Sequence, residues 1–322
     1  MQIVAVDIGG THARFALADV AGGKVMSVSE PVTLKTAEHA SFQTAWEDFG
    51  SHIVTPLPRA TGIAIACPIG GEVLKLTNNP WIIRPAMICE KMNVDQYSLV
   101  NDFGAIGHAV AQMGEDCFQH LCGPEGPLPT TGTISIIGPG TGLGVAHIRR
   151  VGGDYQVNAT EGGHIDFAPL DALEDALLAR LRKRYRRVSV ERIVSGPGLV
   201  EIYEALAAVE GRAVQSLDDK ALWALGLSGE DSLASAAVDR FCLSLGSVAG
   251  DIALAQGGAA VVIAGGLGLR IADTLARSGF AGRFAAKGRF EAMMNTIPVK
   301  LITHPQPGLF GAAAAFAKEH AQ

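Results

Sequence analysis

The sequence predicts an α/β protein in which two halves repeat one arrangement of strands and helices. The first observation is an apolar, β-branched run followed by a hairpin rich in glycine and threonine and by a second strand. This pattern occurs near residue 3 and again near residue 133. The second observation is that later strands in each half alternate with segments of helical periodicity. A chain of 322 residues is long enough for two such domains.

The first half has three consecutive strands followed by alternating helices and strands. We predict strands at residues 3–6, 15–18, 24–34, 61–66, 72–76 and 97–100. We predict helices at residues 41–53, 85–92 and 105–113, the second of which begins with proline. Three strands followed by helix–strand units is the element order of a ribonuclease-H-like domain.

The second half begins after residues 122–131, which are rich in glycine, proline and threonine and are predicted to be a connector. Strands are then predicted at residues 133–137, 145–151, 155–159, 259–264 and 299–302. Helices are predicted at residues 171–185, 199–209, 219–225, 231–256 and 308–320. The second half is thus a weak internal repeat of the first. Ligands of α/β sheets bind at the carboxyl ends of strands, where we expect both glycine hairpins to lie.

Composition and charge exclude several classes of protein. Hydrophobic residues make up 48% of the chain and charged residues 18%, which is typical of a globular protein with a large core. The net charge of −6 argues against a nucleic-acid partner. No apolar segment predicts a membrane span, and the N-terminus has no basic segment of a signal peptide. The five cysteines are irregularly spaced, which predicts reduced thiols in a cytoplasmic protein.

The two glycine hairpins are candidate phosphate sites. In the first, Asp7 ends a strand and is followed by Gly9, Gly10 and Thr11. The amides and hydroxyl of such a loop can hold a phosphate and Asp7 can hold its metal, although a plain hairpin turn is the alternative. The second hairpin, residues 138–144, holds four glycines and a threonine. A turn requires fewer glycines, and we therefore interpret this hairpin as a phosphate cradle.

Asn101 and Asp102 follow a buried predicted strand and precede a predicted helix. Asp102 can therefore be the N-cap of that helix. The alternative is a general base that accepts a hydroxyl proton during phosphoryl transfer, a reaction that needs a positioned hydroxyl, an acceptor carboxylate and a metal.

Further candidates for ligand binding lie in the second half. Glu161 and His164 bracket two glycines, so both side chains can point at one small polar ligand; a solvated loop is the alternative. Glu191 lies on a predicted short helix, where a solvated face is the usual alternative. Gly265 and Gly266 end an apolar strand, where small residues let a flat base lie against the backbone.

These motifs occur together in the order found in one family. The matching segments are residues 7–11, 66–69, 77–78, 101–103, 140–147, 161–169, 191–198, 288–290 and 307–311. Nearly end to end, the chain resembles the bacterial glucokinases of the zinc-free proteobacterial type. These belong to the actin/hexokinase/Hsp70 superfamily.

The resemblance implies a fold of two ribonuclease-H-like domains with a ligand cleft between them. The small domain would comprise residues 1–111 and 303–322, and the large domain residues 112–302. The implied activity is phosphorylation of D-glucose to glucose 6-phosphate, with ATP and Mg²⁺ as cofactors and no structural zinc. The implied protein is a cytoplasmic homodimer with small-molecule substrates and no nucleic-acid or membrane partner.

The resemblance also implies roles for individual residues. Asp102 matches the catalytic base, and Asp7 would position Mg²⁺ through water. The matches to sugar-binding residues are Asn78, Asn101, Asp102, Glu161, His164 and Glu191. The matches to nucleotide-binding residues are Asp7, Gly9, Gly10, Thr11, Gly140, Thr141, Gly142, Gly265 and Gly266.

Two alternatives and two departures from the family pattern stay open at the level of sequence. A kinase for another hexose, such as mannose, fructose or an amino sugar, would carry similar motifs. A non-sugar ATPase of the same superfamily is disfavoured by the cluster of sugar-type residues.

His12 stands where many relatives have asparagine, and Pro139 lies inside the second loop. Either residue can alter phosphate contacts or donor preference.

Overall fold

The computed structural model describes residues 1–76, 79–214 and 216–321. Its strands are β1 (Gln2–Ile8), β2 (His12–Ala21), β3 (Lys24–Val28), β4 (Val32–Lys35), β5 (Ala60–Ile65), β6 (Leu74–Lys75), β7 (Ile82–Ile83), β8 (Gln96–Asn101), β9 (Phe118–Cys122), β10 (Gly132–Pro139), β11 (Leu143–Val151), β12 (Asp154–Thr160), β13 (Gly258–Ile263) and β14 (Val299–Ile302). Its α-helices are α1 (Phe42–Ser51), α2 (Ile88–Met92), α3 (Asp102–Gln112), α4 (Ala172–Leu181), α5 (Gly198–Glu210), α6 (Asp219–Ser228), α7 (Ser232–Gln256), α8 (Gly265–Arg270), α9 (Ala272–Arg277), α10 (Phe280–Ala285), α11 (Glu291–Met294) and α12 (Pro307–Glu319).

The chain divides into two compact units, each with its own sheet and hydrophobic core. The first unit comprises Met1–Gly114, Val157–Ala159 and His304–Gln322, and the second comprises Glu115–Gln156 and Thr160–Thr303. This two-sheet α/β architecture confirms the predicted fold class. Among the described residues, no helix is both long enough and apolar enough to cross a membrane.

The first sheet has the strand order β3-β2-β1-β5-β8, and β4 also pairs with β2. β1 runs antiparallel to β2 and parallel to β5, which in turn runs parallel to β8. The single strand predicted at residues 24–34 is wrong, because β3 and β4 are separate strands. Pro31 lies between them and has no N–H to donate to a ladder, which favours an interruption at this point.

The C-terminal helix α12 packs on one face of the first sheet with an apolar side that is mostly alanine. The resulting core joins Ile3 and Ala5 of β1 to Leu309 and Phe316 of α12. Small residues are required where the backbones approach most closely. A Cβ atom on Gly62 would collide with the carbonyl of Ala312, and one on Gly311 would collide with the carbonyl of Ala105. The helix therefore lies directly against β5 and α3.

The other face of the first sheet carries an aromatic cluster that orders the segment after β4. Phe15 of β2 stacks on Phe42 and Phe49 of α1, and Trp81 packs against Phe42. The start of α1 is fixed by Ser41, whose hydroxyl accepts a hydrogen bond from the amide of Thr44 in a capping box. The helix predicted at residues 41–53 is thus present with slightly narrower bounds.

The second sheet has the strand order β12-β11-β10-β13-β14-β9. β10 pairs antiparallel with β11 and parallel with β13, as the first sheet does around β1. The strand β9, which pairs antiparallel with β14, is absent from the sequence prediction. Its last residue, Cys122, was assigned to the connector, so the predicted connector begins one residue too early.

The core of the second unit surrounds the long helix α7, which is buried along most of its length. Glycines at 246 and 250 allow α10 to pack closely, since a Cβ at either position would meet the backbone of Phe280 or Phe284. A buried ionic cluster joins α4, α7 and α10. In it, Arg240 and Arg283 both contact the carboxylates of Asp171 and Glu174.

Candidate active site

The first glycine hairpin is a tight connection between β1 and β2. The amide of Gly9 donates to the carbonyl of His12 at 2.9 Å, and the side chain of Asn79 donates to the carbonyl of Gly9 at 3.1 Å. The hydroxyl of Thr36 donates to the carbonyl of Gly10 at 3.1 Å. Neighbouring segments therefore hold the carbonyl side of this loop. Neither glycine has φ in the left-handed region, so the turn itself does not require glycine at these positions.

The side chains at the tip of this hairpin contact each other. Oγ1 of Thr11, which is exposed, lies 3.0 Å from Nδ1 of the His12 ring. The histidine that departs from the family pattern therefore shares a hydrogen bond with the hydroxyl that we predicted to face a phosphate. A phosphate ligand and the imidazole would compete for this hydroxyl or share it.

Asp7 is partly buried behind the hairpin. Nη1 of Arg14 lies 3.5 Å from its Oδ2, and a Cβ atom on Gly308 would lie only 2.7 Å from the same oxygen. Burial raises the pKa of Asp7 above the ordinary value for an aspartate, and the charge of Arg14 offsets this effect only in part. Arg14 and Gly308 border this carboxyl group, Asn79 contacts the hairpin at Gly9, and none of the three was predicted from the sequence to be a site residue. Their contacts depend on pairing across strands and on the C-terminal helix.

Asn101 and Asp102 lie at the carboxyl end of β8, where α3 begins. The N-cap is Asn101, whose Oδ1 accepts from the amides of Phe103 at 2.9 Å and Gly104 at 3.3 Å. The N-cap role considered for Asp102 is therefore wrong: Asp102 is the first residue of the helix. The predicted helix start at residue 105 is also three residues too late, because the cap at Asn101 allows the helix to begin at Asp102.

The carboxyl group of Asp102 lies in surroundings that raise its proton affinity. Burial is the main cause that raises its pKa to about 6, and the nearby charge of Asp7 raises it further. The hydrogen bond from the amide of Phe103 acts in the opposite direction and stabilises the carboxylate. Asp102 is therefore ionised at neutral pH, and it has a higher proton affinity than an exposed aspartate.

The second glycine hairpin is narrower than predicted. Gly138 and Pro139 still pair with β11, so the turn is confined to Gly140, Thr141 and Gly142. The amide of Gly140 donates to the carbonyl of Gly142 at 2.8 Å, which closes the turn. Pro139 is the last residue of β10 and lies before the turn rather than within it.

Glu191 is fastened to the end of this hairpin. Its Oε2 accepts a hydrogen bond from the amide of Leu143 at 2.8 Å, and a Cβ atom on Gly142 would collide with the same carboxylate. The side chain of Glu191 is half-buried, so the alternative interpretation, in which Glu191 lies on a solvated helix face, is wrong. A side chain at position 142 would displace the carboxylate of Glu191, whereas the backbone conformation there does not favour glycine.

Glu161 precedes and His164 ends a short 3₁₀ turn, Gly162–His164, that packs on the same hairpin. No Cβ atom fits on Gly163, because the carbonyl of Leu143 occupies that space. The amide of Val190 donates to the carbonyl of Ile165 at 2.9 Å, which joins this turn to the segment carrying Glu191. The structure therefore brings three predicted sugar-binding residues of the second unit together around Leu143. Both Glu161 and His164 are exposed.

Gly265 and Gly266 begin helix α8 directly after β13. Gly265 has φ of +84°, and a Cβ atom there would lie 2.8 Å from the carbonyl of Pro139, so glycine is required on two grounds. The space above Gly266 is open. A flat ligand would therefore have room to approach the backbone at Gly266, and this position is next to the start of the turn in the second hairpin.

The donor groups around Asp7 fit a weakly held magnesium ion. Among residues 1–76, 79–214 and 216–321, no three histidine, cysteine, aspartate or glutamate side chains form a group that could hold a metal. Mg²⁺ is commonly held by one or two carboxylates together with waters and substrate phosphates. One partly buried carboxylate beside a glycine hairpin suits this mode of binding. Asn78, predicted to contact sugar, lies outside the described residues.

Comparison with known proteins identifies the family. The glucokinase family model matches residues 4–319. The glucokinase of Zymomonas mobilis is 63% identical over 322 residues, covering 100% of this chain and 99% of that protein. This chain belongs to the glucokinase family.

Solved glucokinases have the same fold. The crystal structure of a glucokinase from an Antarctic psychrotroph has a TM-score of 0.86 and 34% identity, covering 98% of each chain. A more distant glucokinase of the ROK family from Streptomyces griseus, crystallised with glucose and AMPPNP, has a TM-score of 0.62 and 17% identity. It covers 97% of this chain and 98% of its own, and at this identity the likeness concerns the fold alone.

Proposed function

We propose that this glucokinase-family chain transfers the γ-phosphoryl group of Mg-ATP to the 6-hydroxyl of D-glucose, with Asp102 as the general base. The observation that carries the assignment of the base is the carboxyl group of Asp102 at the start of α3, with its pKa raised to about 6. Family membership supports glucose and ATP as the substrates.

The proposed reaction is a direct displacement at phosphorus. The 6-hydroxyl oxygen forms a bond to the γ-phosphorus while the bond from that phosphorus to the β,γ-bridging oxygen breaks. The hydroxyl proton moves to Asp102, and ADP leaves with the electron pair of the broken bond. Phosphoryl transfer depends mainly on positioning and on stabilisation of charge, so the remaining residues act by binding and orienting the substrates.

The proposed sugar-binding groups are the side chains of Glu161, His164 and Glu191 in the second unit and of Asn78 and Asn101 in the first. Two carboxylates, two amides and an imidazole offer both donors and acceptors for hydroxyl groups. The Oδ1 atom of Asn101 is already engaged at the cap of α3, and its Nδ2 group donates one hydrogen to the carbonyl of Cys67 at 3.4 Å, which leaves the second Nδ2 hydrogen for a sugar oxygen. A site built from such paired groups rejects analogues that lack a hydroxyl.

The proposed nucleotide-binding groups are the two glycine hairpins and the start of α8. Gly9, Gly10 and Thr11 of the first unit and Gly140, Thr141 and Gly142 of the second would hold phosphates. Gly265 and Gly266 would lie against the adenosine. Asp7 would hold Mg²⁺ through water, and the ion would supply neutralisation of phosphate charge.

We also infer that the protein is a cytoplasmic homodimer. In each chain, we infer a small domain of residues 1–111 and 303–322 and a large domain of residues 112–302. All five cysteines are free thiols, which supports a reducing compartment. The dimer rests on the resemblance to bacterial glucokinases. Light scattering of the purified protein at micromolar concentration tests it, and a monomeric mass would exclude the homodimer.

A steady-state panel of sugars and phosphoryl donors tests the proposed activity. Glucose, mannose, fructose and glucosamine are each assayed with ATP, ADP and polyphosphate. We expect kcat/KM to be highest for glucose with ATP. A higher kcat/KM for another hexose would change the substrate, and ATP turnover equally fast without any sugar would favour a non-sugar ATPase.

A further inference from the structure

The indole of Trp223 lies at the end of a hydrogen-bonded connection that leads to the second glycine hairpin. Trp223 belongs to α6 and is 2% exposed. Its Nε1–H donates to the carbonyl of Gly196 at 3.0 Å, and the amide of Gly196 donates to the carbonyl of Gly140 at 2.7 Å. Two hydrogen bonds therefore connect a buried side chain of α6 to the first residue of the turn.

The segment of residues 191–196 forms hydrogen bonds at both ends of that turn. Gly196 binds Gly140 at its beginning, and Glu191 binds the amide of Leu143 just after its end. The turn Gly140–Gly142 itself is exposed or half-buried. Its position is therefore set by residues 191–196, and the indole of Trp223 fixes the Gly196 side of this segment.

We propose that Trp223 is a positioning residue for the hairpin that binds the donor phosphates. This inference rests on the proposed function, because it takes Gly140–Gly142 as a phosphate-binding turn. The indole N–H holds the peptide of Gly196 in the orientation that binds Gly140. The amides of the turn are thereby preorganised for the nucleotide, and ordering them upon binding is avoided.

Trp223 also packs in the core, where its ring meets Phe241 edge to face at a centroid distance of 5.0 Å. A test must separate this packing from the hydrogen bond. Trp223→Phe keeps an aromatic ring and removes the N–H group, leaving the buried carbonyl of Gly196 without this donor. Trp46→Phe is the matched control, since Trp46 is a buried aromatic residue in the first unit, among Phe15 and Phe42.

Steady-state kinetics and direct binding form the test, at a temperature where circular dichroism shows each variant to be folded. For Trp223→Phe we expect the KM for ATP and the Kd for AMPPNP without sugar to rise about 3- to 10-fold, while the KM for glucose changes less than about twofold. Trp46→Phe should leave all three constants near wild type. Equal fold increases in the KM for ATP and the KM for glucose, or no change in the Kd for AMPPNP, would overturn the inference.

A second measurement does not require Trp223 to be replaced. The chain has three tryptophans, so Trp46→Phe combined with Trp81→Phe leaves Trp223 as the only one. We expect AMPPNP to change the emission of Trp223 in this variant, and an unchanged emission at saturation would contradict the connection. Wild-type protein that neither binds AMPPNP nor phosphorylates glucose would instead contradict the proposed function itself.

Discussion

Asp102 carries a negative charge in surroundings that oppose it. Burial and the charge of Asp7 raise its pKa from 3.8 to about 6. Each unit of pKa shift corresponds to about 1.4 kcal/mol, so ionised Asp102 lowers the free energy of unfolding by up to about 3 kcal/mol. A general base gains proton affinity from the same surroundings. At this residue, therefore, stability is reduced where the chemistry needs a base.

We expect Asp102→Asn to stabilise the protein at neutral pH. The amide keeps an oxygen for the amide of Phe103 and removes the buried charge. The gain should be about 1–3 kcal/mol at pH 7.5. It should disappear as the pH falls from 6 to 4, because protonation of Asp102 in the folded wild type removes the same charge. Urea unfolding of both proteins at pH 7.5 and at pH 4 measures this difference in the free energy of unfolding. A variant less stable than the wild type at pH 7.5 would contradict the prediction.

The same substitution should abolish turnover while leaving glucose binding in place. An asparagine cannot accept the hydroxyl proton, so kcat should fall by about 10²- to 10⁴-fold. In the wild type, kcat/KM for glucose should decrease below pH 6, about tenfold per pH unit, as Asp102 becomes protonated. Stopped assays across pH 5–8 and calorimetric titration with glucose measure these effects. Near-normal kcat in the variant would refute the role of Asp102 as base.

At the scale of elements, the β10–β11 hairpin joins the proposed sugar and phosphate groups. Leu143 donates its amide to Glu191, and its carbonyl packs on Gly163 between Glu161 and His164. Displacement of the Leu143 side of this hairpin should therefore disturb sugar binding even when no sugar-binding residue is replaced, whereas displacement on the Gly140 side should not.

Two alanine substitutions in the turn separate these effects. A Cβ atom on Gly142 would push the carboxylate of Glu191 aside, whereas nothing lies within 4 Å of one on Gly140. We expect Gly142→Ala to raise the KM for glucose by about tenfold, the equivalent of about 1.4 kcal/mol. Gly140→Ala should leave the KM for glucose near wild type. Initial-rate kinetics with varied glucose measure both, and equal KM values for the two variants would argue against the contact.

Sequence reasoning succeeds for elements whose pattern is long and local. The strands of both hairpins and the helices α1, α5 and α7 follow from apolar runs and helical periodicity. The helices α8 to α11 were not predicted, because each spans only four to six residues and presents too few turns to show a period. The strand β9 was missed because its pairing with β14 joins segments distant in the sequence.

The residues of the candidate site likewise divide into those that the sequence predicts and those that it does not. Residues in short motifs, such as Gly9, Gly10 and Asp102, were identified because glycine hairpins and strand-end carboxylates have local signatures. Arg14 and Trp223 were not identified, since each acts through a contact that only the folded chain creates. Pairing of Arg14 with Asp7 follows from the β1–β2 register, which a sequence alone leaves undetermined.

At the scale of the whole molecule, the second unit contains an ionic cluster that joins three of its helices and is buried at Glu174. Glu174 is 1% exposed, and its carboxylate accepts from the amide of Leu170 as well as contacting Arg240 and Arg283. A buried ion pair contributes little net stability when intact, but loss of one partner leaves uncompensated charge.

We expect Glu174→Ala to destabilise the protein by about 3 kcal/mol, because two half-buried guanidinium groups would share only Asp171. Asp175→Ala is the matched control, since Asp175 is the exposed neighbour on the same helix. Its effect should stay below about 0.5 kcal/mol. Urea unfolding followed by circular dichroism measures both, and similar values for the two variants would contradict the role of the cluster.

The packing of α12 on the first sheet also has a consequence for synthesis. The ribosome makes β1 long before α12, and yet Gly308 lies against Asp7 and Gly311 against α3. Residues Ile3 and Ala5 therefore stay uncovered on a nascent chain until the final helix emerges. The whole of the second unit, Glu115–Gln156 and Thr160–Thr303, is translated before that moment. The first unit is thus completed only after the second unit has been translated, and a ribosome-stalled chain ending before residue 307 would have an incomplete first unit.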